Sequence, residues 1–321
     1  MARVSAIAGC SMLLAFVASL PAAAEPPPAW AYPVNPPGFQ PEKDSGAPRR
    51  VPNSTLSITL TQVRDLFYAP DWHPEDHPPM PDVVANGRKP DVLACGSCHR
   101  ADGSGGPENA NLTGLTVDYM ARQLAAFRAG ARNTSEPRRT FYAKMIQIAR
   151  AVTDEEFAAA SRYFASVPYR SMVDVVEADM VPKTRSEGWH LSLIQDAGTE
   201  PIGERIIEVP VDNERFTSRD SRVRFIAYVP QGSIARGRVL ATTGGDGRTA
   251  ACSTCHGADL KGTAIGPAII GRSPSFVVRQ LYDIQAGNRT GANAAQMKPI
   301  VEHLTLNDMI ALAAYTSSLK P

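Results

Sequence analysis

Two short stretches of the chain have the residue types and the spacing to attach a porphyrin. Residues 95–99 read CGSCH and residues 252–256 read CSTCH, so each holds two cysteines two residues apart and a histidine directly after them. The two thiols can form thioethers with the two vinyl groups of one porphyrin, and the histidine then lies under the iron as an axial ligand. The sequence therefore predicts two covalently bound haems c. Their attachment residues are Cys95, Cys98, His99, Cys252, Cys255 and His256.

The cysteine count supports haem attachment over the other uses of a CxxC pair. Of five cysteines, Cys10 lies in the N-terminal apolar stretch and the other four all lie in the two motifs. A redox CxxC pair requires no histidine at this point, and a disulfide framework requires none either. A zinc site would need four ligands converging from both pairs and would leave both histidines without a role.

The two motifs belong to a longer internal repeat. At an offset of 157 residues, Gln123 matches Gln280, and Gly130 and Arg132 match Gly287 and Arg289. Further along, the offset becomes 152. Self-similarity over this length predicts two homologous haem units.

A methionine recurs at the same place in both units. Met145 and Met297 precede the final helix of their units, in segments expected to be loops, and a thioether is a good donor to haem iron. We therefore predict both as distal ligands. Other residues stay open as rivals or as core filler. The rivals are His303, His73, His77 and Met80, and the expected core methionines are Met120, Met172 and Met309.

Helices must position these ligands. Apolar residues at helical spacing predict helices over residues 117–128 and 276–284, with Gly130 and Gly287 as stops. Thr153 and Thr305 each begin a final helix with capping-type residues. The expected fold class is mainly α, with two cytochrome c-type helical haem domains joined by a small β-rich insert.

The N-terminal residues have the pattern of a secretory signal. Arg3 precedes an apolar run, and small residues up to Ala24 form a cleavage site. We expect residues 1–24 to be removed and the protein to be periplasmic, with no membrane-spanning segment afterwards. Cys10 superficially matches a lipoprotein box, but too few residues precede it to form an apolar core.

The remaining chain divides by composition. We expect an extended proline-rich tail over 25–54, a first domain over 55–168 and a second over 232–321. The segment 169–231 between them contains two stretches, 206–209 and 223–229, that are rich in branched and aromatic residues and predict strands. It is either a spacer or a docking surface for a partner.

The charge balance limits the classes of partner. The chain has 33 basic and 32 acidic side chains, which argues against nucleic acid. Arg132 and Arg289 follow the same glycine in both repeats, so we predict that they contact haem propionates; solvated helix ends are the alternative.

These features together resemble the dihaem class I cytochromes c of the cytochrome c4 type, over residues 80–168 and 232–320. The resemblance implies the axial pairs His99–Met145 and His256–Met297. It also implies a proline carbonyl that fixes the proximal histidine. Pro267 matches that proline, whereas the first unit has Ala110 there and Pro107 three residues earlier.

The function that follows is a carrier, not an enzyme, that passes single electrons between redox-partner proteins. Two alternatives remain. One is a haem enzyme with one open iron, either a dihaem peroxidase or a small-molecule dehydrogenase. The other is the cytochrome subunit of a larger oxidoreductase complex. The segment 169–231 is long for a linker in the cytochrome c4 family.

Overall fold

A computed structural model describes Met1 and residues 26–321. The predicted cleavage site after Ala24 therefore lies outside the described residues. Within the described part, no helix has the length and hydropathy that a membrane crossing requires.

The first unit is built from six helices and a 3-10 turn at Pro74–Asp76. The helices are α1 (Leu60–Arg64), α2 (Asp82–Ala85), α3 (Cys95–His99), α4 (Val117–Arg128), α5 (Phe141–Ala151) and α6 (Asp154–Ser166). The predicted helix over 117–128 is confirmed at both ends. The Thr116 side chain accepts a hydrogen bond from the backbone of Tyr119, and Gly130 follows in the left-handed conformation at φ 69°.

The second unit repeats this plan. Its helices are α8 (Ser233–Thr243), α9 (Ser253–His256), α10 (Pro274–Gln285), α11 (Ala292–Val301) and α12 (Leu306–Ser318). Thr153 and Thr305 form capping boxes at α6 and α12, as the sequence predicted. Helices α8 and α12 cross closely at Gly237, where a Cβ would collide with the carbonyl oxygen of Ala311.

The segment between the two units contains the strands. They are β1 (Val173–Glu177), β2 (Met180–Pro182), β3 (Thr184–Glu187), β4 (His190–Leu193), β5 (Thr199–Pro201), β6 (Ile207–Pro210) and β7 (Phe225–Val229), with α7 (Asn213–Thr217) before β7. Strand β7 lies between β1, to which it is parallel, and β6, to which it is antiparallel. The two predicted strands are confirmed as β6 and β7, while the other five were not anticipated. We call residues 173–229 the insert.

The insert packs on the second unit. Buried residues of β1 and β7 share one apolar core with α10 and α12, including Val173, Phe225, Ile284 and Met309. The first unit has its own core, which is formed by α2, α4 and α6 and includes Val84, Met120 and Phe164. The described chain is thus mainly helical, with small sheets grouped in the insert.

The residues before α1 are extended but not free. Ala31 and Tyr32 are buried in the core of the second unit, where the Tyr32 hydroxyl donates to Asp283 Oδ1 at 2.8 Å. Arg279 Nη1 donates to the carbonyl oxygen of Ala31 at 2.7 Å. The sequence was interpreted as a tail with few apolar anchors, and it gave no sign of this docking.

Candidate functional site

The two motif histidines have matching environments. His99 ends α3, and its Nδ1 lies 2.8 Å from the carbonyl oxygen of Ala110. His256 ends α9, and its Nδ1 lies 2.7 Å from the carbonyl oxygen of Pro267. In each ring Nδ1–H can donate to this carbonyl oxygen. Among the described residues, Nε2 of either ring has no hydrogen-bond partner, so this nitrogen is available to a metal.

Ala110 and Pro267 are equivalent positions of the repeat, so the carbonyl contact does not depend on proline. The sequence raised Pro107 only because it is the nearest proline. The backbone oxygen at the repeat-equivalent position makes the contact instead.

Burial keeps both imidazoles in the form that binds iron. Desolvation lowers the pKa of His99, and it outweighs the opposing effect of the Ala110 carbonyl. The pKa of His256 is lowered for the same reason. A neutral imidazole with Nδ1 protonated presents a lone pair on Nε2.

The four motif cysteines are all partly buried and form no disulfides. Burial raises the pKa of Cys95 to about 12 and that of Cys252 to about 11. These two thiols are therefore protonated at neutral pH, which is typical of an apolar environment. Two unpaired thiols and a histidine within one helical turn are the donor set that haem c requires.

The two methionines lie in helices, and the prediction that they lie in loops was wrong. Met145 is on α5 and Met297 on α11, and both are half-buried. Pro299 lies inside α11, so the sequence signal for that helix was weak.

The two methionines differ in whether they pack against the core of their unit. Met297 and Cys252 both pack against the core of the second unit. In the first unit Cys95 packs against the core together with Met80, whereas Met145 is not one of the residues of that cluster. Met80 therefore stays a rival to Met145.

Two of the alternative histidine ligands have other partners, and the third is exposed. His73 is fully buried, and its Nε2 lies 3.1 Å from Asp220 Oδ1 of the insert. His77 contacts Asp71 Oδ1 through Nε2 and the Pro78 carbonyl oxygen through Nδ1. His303 is exposed. The structure brings none of these three into hydrogen-bonding contact with a motif histidine.

Arg132 and Arg289 meet where the two units join. Their backbones form an antiparallel bridge. Arg132 donates to Gln123 Oε1 at 2.8 Å and to Gln280 Oε1 at 3.1 Å. Arg289 donates to the same two oxygens, each at 2.9 Å, and to the Tyr119 hydroxyl. We call these five residues the arginine cluster. Each arginine thus binds the glutamine of its own unit and that of the other unit.

The arginine cluster lacks a counter-charge. Neither arginine forms an ion pair with a carboxylate of the described residues. Burial and the neighbouring Arg289 lower the pKa of Arg132 to about 10. Arg132 Nε and Gln280 Nε2 are buried with no hydrogen-bond partner in the described chain. Two like charges with unused donors are chemically suited to an anion such as a carboxylate.

Comparisons with known proteins agree with this donor set. The family model for cytochrome c matches residues 84–168. Cytochrome c-554(548) of Halomonas halodenitrificans is 36% identical over 75 residues, which are 23% of this chain and 90% of that protein. Cytochrome c4 of Azotobacter vinelandii is 32% identical over 84 residues, 24% of this chain and 40% of its own length. A protein of Stutzerimonas stutzeri named thiosulfate dehydrogenase electron acceptor is 37% identical over 87 residues, 26% of this chain and 39% of its own length.

The fold and the donor set define a cytochrome c domain, and such a domain carries covalently bound haem c. The chain belongs to the cytochrome c family and is similar to the cytochromes c4. The matches span about 40% of the length of the cytochrome c4 relative.

Proposed function

We propose that this protein is a dihaem cytochrome c that passes single electrons between redox-partner proteins. The observation that carries the proposal is the repeated geometry of His99 and His256. Each ring is held by a backbone carbonyl through Nδ1, at 2.8 Å and 2.7 Å, with Nε2 left available. Because both histidines have the same carbonyl contact at Nδ1 and a free Nε2, this geometry supports two haem sites.

Each chain group has a separate task. The four motif cysteines would hold the haems covalently, His99 and His256 would bind the irons through Nε2, and Met145 and Met297 would supply the second ligand of each iron. When bound, the haem supplies one-electron chemistry at iron, so the protein needs no general base or nucleophile. With a histidine and a methionine on each iron, these residues would exclude small molecules from it and favour electron transfer over catalysis.

The arginine cluster supports two haems whose propionates approach the junction of the units. Propionate carboxylates would supply the negative charge that Arg132 and Arg289 lack, and would accept from the unused donors Arg132 Nε and Gln280 Nε2. Because each arginine reaches both units, propionates of either haem would be within the influence of both guanidinium groups.

The proposed layout has helical haem domains over 55–168 and 232–321, joined by the segment 169–231 and preceded by an exported N-terminus cleaved near Ala24. Val173 and Phe225 of the insert share the second unit's core, which supports a structural role for this segment rather than a flexible linker.

The first test is the haem count and the carbon monoxide response of the purified holoprotein. The pyridine haemochrome spectrum should give two haems c per chain, and the reduced spectrum should not change with carbon monoxide. The variant Cys252→Ala/Cys255→Ala should retain one haem. One haem per chain in the unchanged protein would refute the dihaem proposal. A carbon monoxide shift in half of the absorbance would favour an enzyme with one open iron.

A second candidate is an electron-accepting partner or subunit of a dehydrogenase. The observation that favours it is the name of the Stutzerimonas stutzeri relative, thiosulfate dehydrogenase electron acceptor. The haem chemistry of the chain would be the same, but the protein would be reduced by one dedicated enzyme. Affinity purification of the tagged chain from its own cells would separate the two, because a subunit copurifies with the dehydrogenase in constant ratio and a free carrier does not.

A further inference from the structure

In each unit, a loop after the haem motif carries the carbonyl oxygen that accepts from the motif histidine. In the first unit this is loop 104–113, which includes Ala110. The Gly105 nitrogen of this loop donates to the His99 carbonyl oxygen at 3.0 Å. A Cβ on Gly105 would lie 2.5 Å from the Ala110 oxygen, so the backbone packs tightly around this carbonyl. The orientation of the His99 ring therefore depends on the conformation of loop 104–113.

An arginine of the second unit also binds loop 104–113. Arg272 Nη1 donates to the Asn111 carbonyl oxygen and Nη2 to that of Thr113, both at 3.0 Å. Asn111 is the residue directly after Ala110. The two nitrogens of one guanidinium thus bind two carbonyls of the loop and restrict the backbone between them.

These two carbonyl oxygens are the feature of the site that requires a cation. Only 7% of Arg272 is exposed, and the residue forms no ion pair with a carboxylate of the described chain. Its guanidinium lies over the Tyr169 ring, 4.2 Å from the centroid. Burial lowers the pKa of Arg272, because removing a charged group from water is costly. An apolar side chain would fill the same space without that cost, but it could not bind the loop.

The repeat contains no reciprocal contact. The position of Arg272 is occupied in the first unit by Leu115, which packs against the first unit's own core. Within the described chain, no side chain of residues 55–168 donates to a carbonyl oxygen of 261–270, the equivalent loop of the second unit. Ile265 of that loop is 58% exposed. The loop beside the first histidine is thus held from both units, and the loop beside the second is not.

We propose that Arg272 is a positioning residue for the first haem site. From the second unit it fixes loop 104–113, and it thereby holds the Ala110 carbonyl oxygen against Nδ1–H of His99. The proposal rests on the proposed haem function. A hydrogen bond at Nδ1 fixes the tautomer and the orientation of an iron-binding imidazole, so a residue that fixes the acceptor also sets how the ring presents Nε2. The second unit therefore contributes to the first haem site.

The test is hydrogen exchange of the two histidine Nδ1 protons, followed by NMR in the reduced, diamagnetic holoprotein. Arg272→Lys keeps the charge but replaces a rigid fork of donors with a single ammonium group, so the loop should open more often. The His99 proton should then exchange at least about tenfold faster, and the His256 proton at an unchanged rate. Arg272→Met, which removes both hydrogen bonds, should accelerate the His99 proton further.

Ser135→Ala is the matched control, because it removes a different hydrogen bond between the units, from Ser135 Oγ to Asp283 Oδ1 at 2.7 Å. It should leave the exchange of the His99 proton unchanged. If Ser135→Ala accelerates this proton as much as Arg272→Lys does, Arg272 only strengthens the junction of the units and the proposal is wrong. Equal acceleration of both histidine protons in Arg272→Lys, or no acceleration of the His99 proton, overturns it as well.

Tyr169→Leu decides the question if the Arg272 variants yield no holoprotein. It removes the ring under the guanidinium and leaves the arginine in place, so the His99 proton should again exchange faster than the His256 proton. Unchanged exchange of the His99 proton there contradicts the positioning role. Two haems per chain with unchanged exchange would contradict this inference only, whereas one haem per chain in the unchanged protein would contradict the dihaem function itself.

Discussion

At the scale of single residues, the sequence identifies the histidine ligands more precisely than the methionine ligands. Each histidine directly follows a pair of cysteines spaced three residues apart, and the carbonyl partners of the two histidines lie at equivalent positions of the repeat, Ala110 and Pro267. The methionines lie 46 and 41 residues after those histidines. Over that distance the spacing in the sequence does not determine which side chain can bind the iron. The tertiary structure determines it instead.

Met145 and Met80 can be separated by paired variants. Met145→Ala should open the first distal position, so that carbon monoxide shifts about half of the reduced absorbance and the first haem's potential falls, since a methionine ligand raises it. Met80→Ala is the matched control, because it removes the same side chain from the first unit's core. It should lower stability by about 2–5 kcal/mol without carbon monoxide binding. The reverse result would move the ligand assignment to Met80.

At the scale of elements, the sequence predicted the helices and caps that are specified by residues close together in the chain. The helix Val117–Arg128 and the capping boxes at Thr153 and Thr305 appear as expected, because their signals lie within one or two turns. Strand β1 was missed because its partner β7 pairs Val173 with Phe225, 52 residues away, and nothing near β1 indicates that pairing. The docking of Tyr32 was missed for the same reason.

An ion pair joins the 3-10 turn before α2 to the insert, and its contribution to stability should depend on pH. Arg222 Nε and Nη2 donate to the Asp76 carboxylate, both at 2.7 Å. The Arg222 hydrogen bond is the main cause that lowers the pKa of Asp76 to about 2. Because the folded-state pKa lies below the unfolded value, this pair stabilises above about pH 4 and loses its contribution as pH falls towards 2.

Arg222→Gln should therefore lower the free energy of unfolding by about 1 kcal/mol at pH 6, because Arg170 still pairs with Asp76, and by about half as much at pH 3. Urea unfolding of the holoprotein at the two pH values measures this. Arg185→Gln is the control, since its pair with Glu187 is exposed and should contribute about 0–1 kcal/mol at either pH. A penalty for Arg222→Gln that does not change with pH would show that Asp76 is not the group responsible.

At the scale of the whole molecule, Asp283 of α10 joins three parts of the chain. Its Oδ1 accepts from the Tyr32 hydroxyl at 2.8 Å and from the Ser135 backbone and hydroxyl at 2.8 Å and 2.7 Å. The N-terminal segment, the first unit and the second unit thus meet at one buried carboxylate. The segment before α1 is therefore part of the folded body.

Tyr32→Phe should lower the free energy of unfolding by about 1 kcal/mol, because one buried hydrogen bond is lost, and Tyr32→Ala by about 3–5 kcal/mol, because the ring leaves a cavity. Denaturant unfolding of the holoprotein measures both. Tyr68→Phe is the control, since the Tyr68 hydroxyl makes no hydrogen bond to the described residues. Equal effects of Tyr32→Phe and Tyr68→Phe would contradict a role for the Asp283 contact.

The arginine cluster makes the last prediction, and it concerns both haems at once. Arg132 and Arg289 each donate to Gln123 and Gln280, one glutamine from each unit. If propionates of both haems lie against this cluster, removing either guanidinium removes positive charge near both irons. Arg132→Gln should then lower both haem potentials, as should Arg289→Gln.

The double variant should shift them by an amount that differs from the sum of the two single shifts, because the two guanidinium groups repel each other and donate to the same two glutamine oxygens. Arg150→Gln, an exposed arginine of the first unit, is the control and should leave both potentials unchanged. An unchanged first-haem potential in Arg132→Gln would count against the propionate contact. The two guanidinium groups would then have only a structural role, in which they connect the two units. In that case the double variant should have a lower free energy of unfolding and unchanged haem potentials.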